Sequence, residues 1–169
     1  VVEERESFYN DAEFGVTIRG VKYSVGDYCN PKTYFEGATP EGIMPSYSWN
    51  EDKKVELTHV SYISSDGRSE FVLTDGYVQT IYTTSDFKFL EIYKGMSTVD
   101  LKSLLGLSLR KADRENFTPM VEGLEVKTSS ANGYILSLGN LTVTIQVNNK
   151  DKVVSSIQIE NYLDFVKES

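Results

Sequence analysis

Apolar and polar positions alternate with a period of two along most of this chain, which predicts a β-rich fold. The clearest run sets Leu141, Val143, Ile145 and Val147 against Thr142, Thr144 and Gln146, the signature of a strand buried on one face and wet on the other. Tyr134, Leu136 and Leu138 precede it on one strand face, with Gly139-Asn140 as the turn between. Asn148-Asn149-Lys150-Asp151 then turns into a strand over residues 153–159. With residues 124–126, and the turn ending at Asn132-Gly133, these segments predict a three- to four-stranded meander.

The first half reads the same way in shorter pieces. Residues 14–18 and 21–25 alternate across Arg19-Gly20 and predict a hairpin. Further strands are predicted at 46–49, 55–63, 70–74 and 77–82, and residues 87–93 lead into the helix. Asp75-Gly76, flanked by two of these runs, is the strongest hairpin signal in the chain, and Ser65-Asp66-Gly67-Arg68 is a second turn. Between them, Asn30-Pro31 and Thr39-Pro40-Glu41-Gly42 punctuate a loop-rich stretch with room for one helical turn at 32–36.

The period changes to 3.6 at Gly95–Gly106. Ser97 stands where an N-cap belongs, with Asp100 three residues on, close to a capping box and inside the positive first turn. Val99, Leu101, Leu104 and Leu105 form the expected apolar stripe, and Gly106 the expected stop. Residues 107–118 read as a polar connection, and 161–167 as a short closing helix. The order predicts an α+β fold, antiparallel and β-rich, in which a hairpin-rich N-terminal half is followed by a capped helix and a meander. The expected division is a flexible, charged lead-in at 1–13, a β-rich subdomain at 14–92 and a helix-plus-meander subdomain at 93–169. The two subdomains can also form one continuous domain.

Composition sharpens this only in part. The 169 residues are 40% hydrophobic and 25% charged, an ordinary globular balance. Eleven tyrosines and eight phenylalanines suit half-buried sheet surfaces. A net charge of −8 without a dense basic cluster argues against nucleic acid and anionic lipid as partners. One cysteine, Cys29, makes an intramolecular disulfide impossible, which suits the cytosol and also exported proteins of Gram-positive bacteria. No apolar run reaches the length of a membrane span. The chain opens Val1-Val2-Glu3 without a methionine, which is read as a removed start, with any signal peptide or lipid anchor lost alongside it.

Two segments carry a resemblance. Val16-Thr17-Ile18-Arg19-Gly20-Val21-Lys22-Tyr23, followed by the Gly-Met-Ser-Thr-x-Asp-Leu-x-x-Leu-Leu-Gly helix at Gly95–Gly106, resembles uncharacterised extracellular domains of Firmicutes lipoproteins. The helix and the strands after it are also similar to the half-unit shared by small outer-membrane-assembly lipoproteins and β-lactamase-inhibitor proteins. The resemblance spans roughly residues 16–159 and rests on short, mostly structural motifs. It implies an exported domain, cell-surface anchored or secreted, that binds something and has no catalytic residues to carry over. Membrane attachment would run only through a tether outside this chain, since Cys29 follows the first hairpin and cannot be an N-terminal acylation site.

The inventory for chemistry is thin. His59 is the only histidine and falls inside a predicted strand, where packing or surface exposure is the usual role. Cys29 has no Cys, His or basic neighbour to activate it and reads as a small filler. One Cys and one His cannot close a zinc site, and the acidic turns at 50–52 and 65–67 lack calcium-loop spacing. Ser-x-x-Lys occurs at Ser85–Lys88 and at Ser108–Lys111, each without its partner motifs, and no nucleophile elbow or glycine-rich nucleotide fingerprint is present. The chain is therefore expected to be no enzyme, with no cofactor and no metal. A hydrolase built on an unrecognised carboxylate pair is the remote alternative.

Aromatic residues are the better lead. Tyr47 and Trp49 alternate within Pro45-Ser46-Tyr47-Ser48-Trp49-Asn50 and share one strand face, which is either core or an aromatic platform. Tyr77 and Tyr82, near the second hairpin, are weaker candidates of the same kind. The expected function is a non-enzymatic extracytoplasmic protein-interaction module, with a small-ligand or glycan-binding domain using these aromatics as the alternative.

Overall fold

The computed structural model describes residues 15–28, 30, 39–50 and 53–161, with the backbone alone described over 39–50 and 53–57. The expected lead-in at 1–13, Cys29, the helical turn at 32–36 and residues 162–167 lie outside the described residues.

Four strands build the first hairpins: β1 (Gly15–Ile18), β2 (Val21–Ser24), β3 (Thr39–Asn50) and β4 (Lys53–Ile63). Next come β5 (Ser69–Thr74), β6 (Tyr77–Thr83), β7 (Phe87–Phe89) and β8 (Ile92–Tyr93). The helix α1 (Thr98–Leu104) and a 3-10 turn (Arg114–Asn116) lead into β9 (Leu124–Ser130), β10 (Gly133–Leu138), β11 (Leu141–Asn148) and β12 (Val153–Asn161). The described fold is α+β and dominated by antiparallel sheet, as the alternation predicts.

The strands form two sheets. A four-stranded sheet runs in the order β2-β1-β7-β8, and an eight-stranded one runs β3-β4-β5-β6-β12-β11-β10-β9. In the large sheet β6 pairs with β12, Ile81 opposite Ile159, so strands from both sides of the expected 92/93 boundary share one sheet. One cluster of buried side chains draws on both sheets and the helix: Val16, Phe89 and Ile92 from the small sheet, Leu101 from α1, and Ile81, Ile145 and Ile157 from the large one. The ring of Tyr23 on β2 lies 5.2 Å from that of Phe71 on β5, fastening the layers together.

Helix α1 starts as its sequence directs. The backbone N–H of Asp100 donates to Ser97 Oγ at 3.1 Å, satisfying one of the helix's unpaired first-turn donors. Replacing Ser97 with alanine is expected to lower stability by about 1 kcal/mol, measured by urea unfolding. An unchanged midpoint would mean that the hydroxyl contributes nothing there. Gly106 ends the helix at φ +74, and the ring of Phe117 packs over it so closely that a Cβ would meet Phe117 Cδ1 at 2.8 Å.

Three expectations need correction. Val99 is not part of the apolar stripe: it is 73% exposed, and only Leu101, Leu104 and Leu105 turn inward. A helix of seven residues turns too few of its positions toward the core to bury all four. The lead into the helix at 87–93, for which the pattern predicts no element, is two short strands, because Leu90 adopts φ +54 and reverses the chain into β8. Thr39-Pro40-Glu41-Gly42 is strand rather than loop, with the register shift between Pro40 and Gly42 absorbing the proline. Proline is tolerated there because β3 is an outer strand of the sheet. Asn161 is the last residue of β12, so no closing helix begins at it.

Candidate functional site

The β3–β4 hairpin is longer than the sheet it joins. β4 pairs with β5 only from His59, opposite Thr74, to Ile63, opposite Glu70. Asp75, at the β5–β6 turn, closes that edge: its N–H donates to Thr58 O at 3.0 Å, and Thr58 N–H donates to its Oδ1 at 3.1 Å. Among the described residues, 46–50 and 53–57 past that point pair only with each other, from Ser46 opposite Leu57 to Asn50 opposite Lys53. At about 3.4 Å per residue, this two-stranded ribbon reaches roughly 15 Å beyond the sheet. Tyr47, opposite Glu56, and Trp49, opposite Lys54, both stand on it.

The base of the ribbon is aromatic as well. Asp75 and Gly76 take φ +48 and +88, the left-handed pair that a two-residue hairpin of this twist needs. The ring of Tyr28 lies across that turn, so close to Gly76 that a Cβ there would meet Tyr28 Cε2 at 2.5 Å. Tyr28 bridges to Tyr77, with ring centroids 5.0 Å apart and tilted by 54°. Backbone bonds fix the pair, since Val78 N–H donates to Asp27 O at 2.9 Å and Gly26 N–H to Val78 O at 2.7 Å. Tyr28 is nonetheless 72% exposed.

Of the four aromatics singled out by sequence, three therefore gather at one end of the large sheet: Tyr77 at the base of the ribbon, Tyr47 and Trp49 along it. Tyr82 does not join them. It lies five residues along β6, about 17 Å away, opposite Glu70 on β5 and Gln158 on β12. Tyr28 is the residue that sequence reasoning missed. Nothing local marks it, because its role comes from a bridge to a strand some fifty positions later.

The remaining chemistry is structural. His59 Nδ1 sits 2.7 Å from Thr74 Oγ1 and 3.1 Å from Gln79 Oε1, bonds that tie β4, β5 and β6 together. Ser85 is buried while Lys88 is exposed, so the first Ser-x-x-Lys match does not present its serine to solvent. Ser69 and Thr83 share a buried hydroxyl–hydroxyl bond of 2.8 Å. Among the described residues, no group of three His, Cys, Asp or Glu side chains converges to hold a metal ion. No described helix is long and apolar enough to cross a membrane.

Several clefts flank the core, three of them with distinctive linings. One, of about 310 Å³, lies between the end of α1 and β9 and is lined by Leu104, Leu107, Phe117, Leu124 and Val126, with Arg114 as its charged group. A second, of about 270 Å³, separates the layers near Tyr23 and Phe71. Arg19 Nη1 and Asp66 Oδ2 meet at its edge at 3.3 Å. The Ser64 hydroxyl and the Arg68 N–H, with Arg19 adding to them, hold the Asp66 carboxyl below its ordinary value. The third, beside the start of α1, has a volume of about 330 Å³.

No protein-family model matches the chain, and no curated protein matches it. Among solved structures it is similar to a cysteine-rich secretory protein from Staphylococcus aureus, at 10% identity and a TM-score of 0.46 over 78% of this chain and 42% of that one. It is also similar to an extracellular protein containing an SCP domain from Bacillus anthracis, at 8% identity and a TM-score of 0.47 over 82% of this chain and 44% of that one. The chain thus spans less than half the length of either.

Proposed function

We propose that this domain is a non-enzymatic protein-interaction module of an extracytoplasmic, Gram-positive lipoprotein-like protein, and that its partner docks on the β3–β4 ribbon. The observation that carries the reading is the ribbon itself. Residues 46–50 and 53–57 leave the sheet with no third described strand beside them. Backbone N–H and C=O groups on the outer side of such a ribbon can accept an added strand, and tyrosine and tryptophan are the side chains that most often anchor protein interfaces. The empty catalytic inventory supports the non-enzymatic part. Its exported location rests on the resemblance carried by residues 16–23 and Gly95–Gly106.

The test is a binding assay with the immobilised domain and envelope proteins of its own source, using saturable binding of a purified partner as the readout. Tyr47→Ala/Trp49→Ala is expected to weaken that binding by about thirtyfold or more, the range of a lost aromatic anchor pair. Equal affinity in the folded double variant would move the interface elsewhere.

The exposed Tyr28 ring on Tyr77 favours a second reading, a platform on which a sugar ring stacks. Glycan binding abolished by Tyr28→Ala but untouched by Tyr47→Ala/Trp49→Ala would select it.

A further inference from the structure

The cleft beside α1 has an unusual lining for so acidic a protein. It is walled by Lys102, Lys152, Thr98, Ser129, Asn149 and Tyr134, and none of its lining residues carries a carboxylate. The chain as a whole has 25 acids against 17 lysines and arginines, so a cleft with two cations and no acid runs against the average of the surface.

Local structure explains the segregation. Thr98 and Lys102 are four residues apart and share one side of α1, whereas Asp100 and Ser103 line a different cleft across the helix. Lys152 takes φ +55 at the end of the β11–β12 turn, and its carbonyl accepts the N–H of Thr98 at 3.0 Å, which pins the turn to the helix start. Asp151, the nearest acid in sequence, accepts the Asn148 side-chain amide at 3.3 Å and stays on the turn. From the other side, Asn149 Nδ2 donates to Asn132 Oδ1, joining the β11–β12 turn to the β9–β10 turn, and Ser129 stands near that turn on β9, opposite Tyr134. Three separate elements thus hold the lining in place.

The two lysines and two of the hydroxyls are also uncommitted. Among the described residues, neither lysine has an acidic partner, and the hydroxyls of Thr98 and Ser129 make no hydrogen bond. Ammonium groups act as point charges for phosphoryl oxygens, and neutral hydroxyl and amide donors can satisfy the oxygens that remain. Burial pushes the Tyr134 phenol up from its ordinary value, so it stays a neutral O–H at physiological pH.

We propose that this cleft binds a phosphate-bearing ligand, with Lys102 and Lys152 neutralising its charge and Thr98, Ser129 and Asn149 donating to its oxygens. A volume of about 330 Å³ leaves room for more than the phosphoryl group, so the cleft accommodates a phosphoester as well as the bare ion. The site is separate from the β3–β4 ribbon, and neither proposal depends on the other.

Titrating the isotope-labelled chain with inorganic phosphate, glycerol 3-phosphate and phosphatidylglycerol vesicles tests this, with sodium chloride at matched ionic strength as the control. The expected result is amide shifts confined to residues 98–102, 129–134 and 147–152, produced by phosphate and more strongly by a phosphoester. Response to the soluble ester identifies a free ligand, and response to vesicles alone identifies a lipid headgroup. Lys102→Gln and Lys152→Gln should each weaken binding about tenfold, the double variant should abolish it, and Lys102→Arg should retain most of it. Ser129→Asp, which places a negative charge in the cleft without touching either lysine, should abolish it as well. Shifts no larger than those of chloride, or binding that survives in the folded double variant, would overturn the proposal.

Discussion

Replacing Gly133 with alanine is expected to destabilise the protein by about 3 kcal/mol or more, read from the urea midpoint at constant m-value. Gly133 opens β10 in the middle of a three-strand ladder, opposite Ser130 on β9 and Gln146 on β11. A Cβ built on it would stand 2.2 Å from the carbonyl oxygen of Ile145 and 3.2 Å from Gln146 Cα. Both are backbone atoms of a central strand, so the neighbour cannot rotate away as a side chain would. Relief requires β10 to separate from β11, which breaks the ladder at the point where the core residues Tyr134 and Ile145 pair. The φ of +158 adds a second penalty, since L-residues rarely adopt it.

Gly20→Ala is the matched control. Gly20 lies in a hairpin turn and also has a positive φ, +86, but nothing stands within 4 Å of its Cβ position. Only the left-handed backbone is then penalised, about 1 kcal/mol. The difference between the two variants isolates the steric clash. Equal midpoints for the two would show that the sheet yields at Gly133 and that the close approach to Ile145 is not rigid.

What the sequence revealed here was local, and what it hid was pairing at a distance. Asp75-Gly76 and Arg19-Gly20 announce two-residue turns because glycine and aspartate are the residues that enter left-handed backbone cheaply, and both turns have that geometry. The Ser97 cap was legible for the same reason: its chemistry is complete within four residues. Leu90 gave no such sign, because leucine at φ +54 is held by the sheet around it rather than by its own preference. The pairing of β1 with β7 and of β6 with β12 joins segments about seventy to eighty residues apart, and alternation says which face of a strand is buried but not which strand lies beside it. The candidate site inherits that limit. Tyr47 and Trp49 could be picked out by spacing, but their place on an overhang depends on where β5 ends beside β4. Tyr28 and the cleft beside α1 exist only after distant turns are brought together.

Phe89→Ala is expected to be among the most damaging single truncations, lowering stability by about 3–5 kcal/mol. Phe89 is fully buried and, among the described residues, is the largest of the side chains with essentially no exposure. It lies on β7, a three-residue strand of the small sheet, yet belongs to the same buried cluster as Leu101 of α1 and Ile145 of β11. A strand of three residues has little ladder of its own to hold it, so its place depends on that one ring. The loss is a large part of a marginal stability of roughly 5–15 kcal/mol. It also bears on the 92/93 boundary, because Phe89 stands on one side of it and Ile145 on the other. With β6 paired to β12 and the core drawn from both sides, the truncation should lower the protection of the β10 and β11 amides against hydrogen exchange by the same free energy as it lowers global stability. If those amides keep their wild-type protection while the 14–92 segment loses its own, residues 93–169 fold independently and the shared sheet is only a contact between two units.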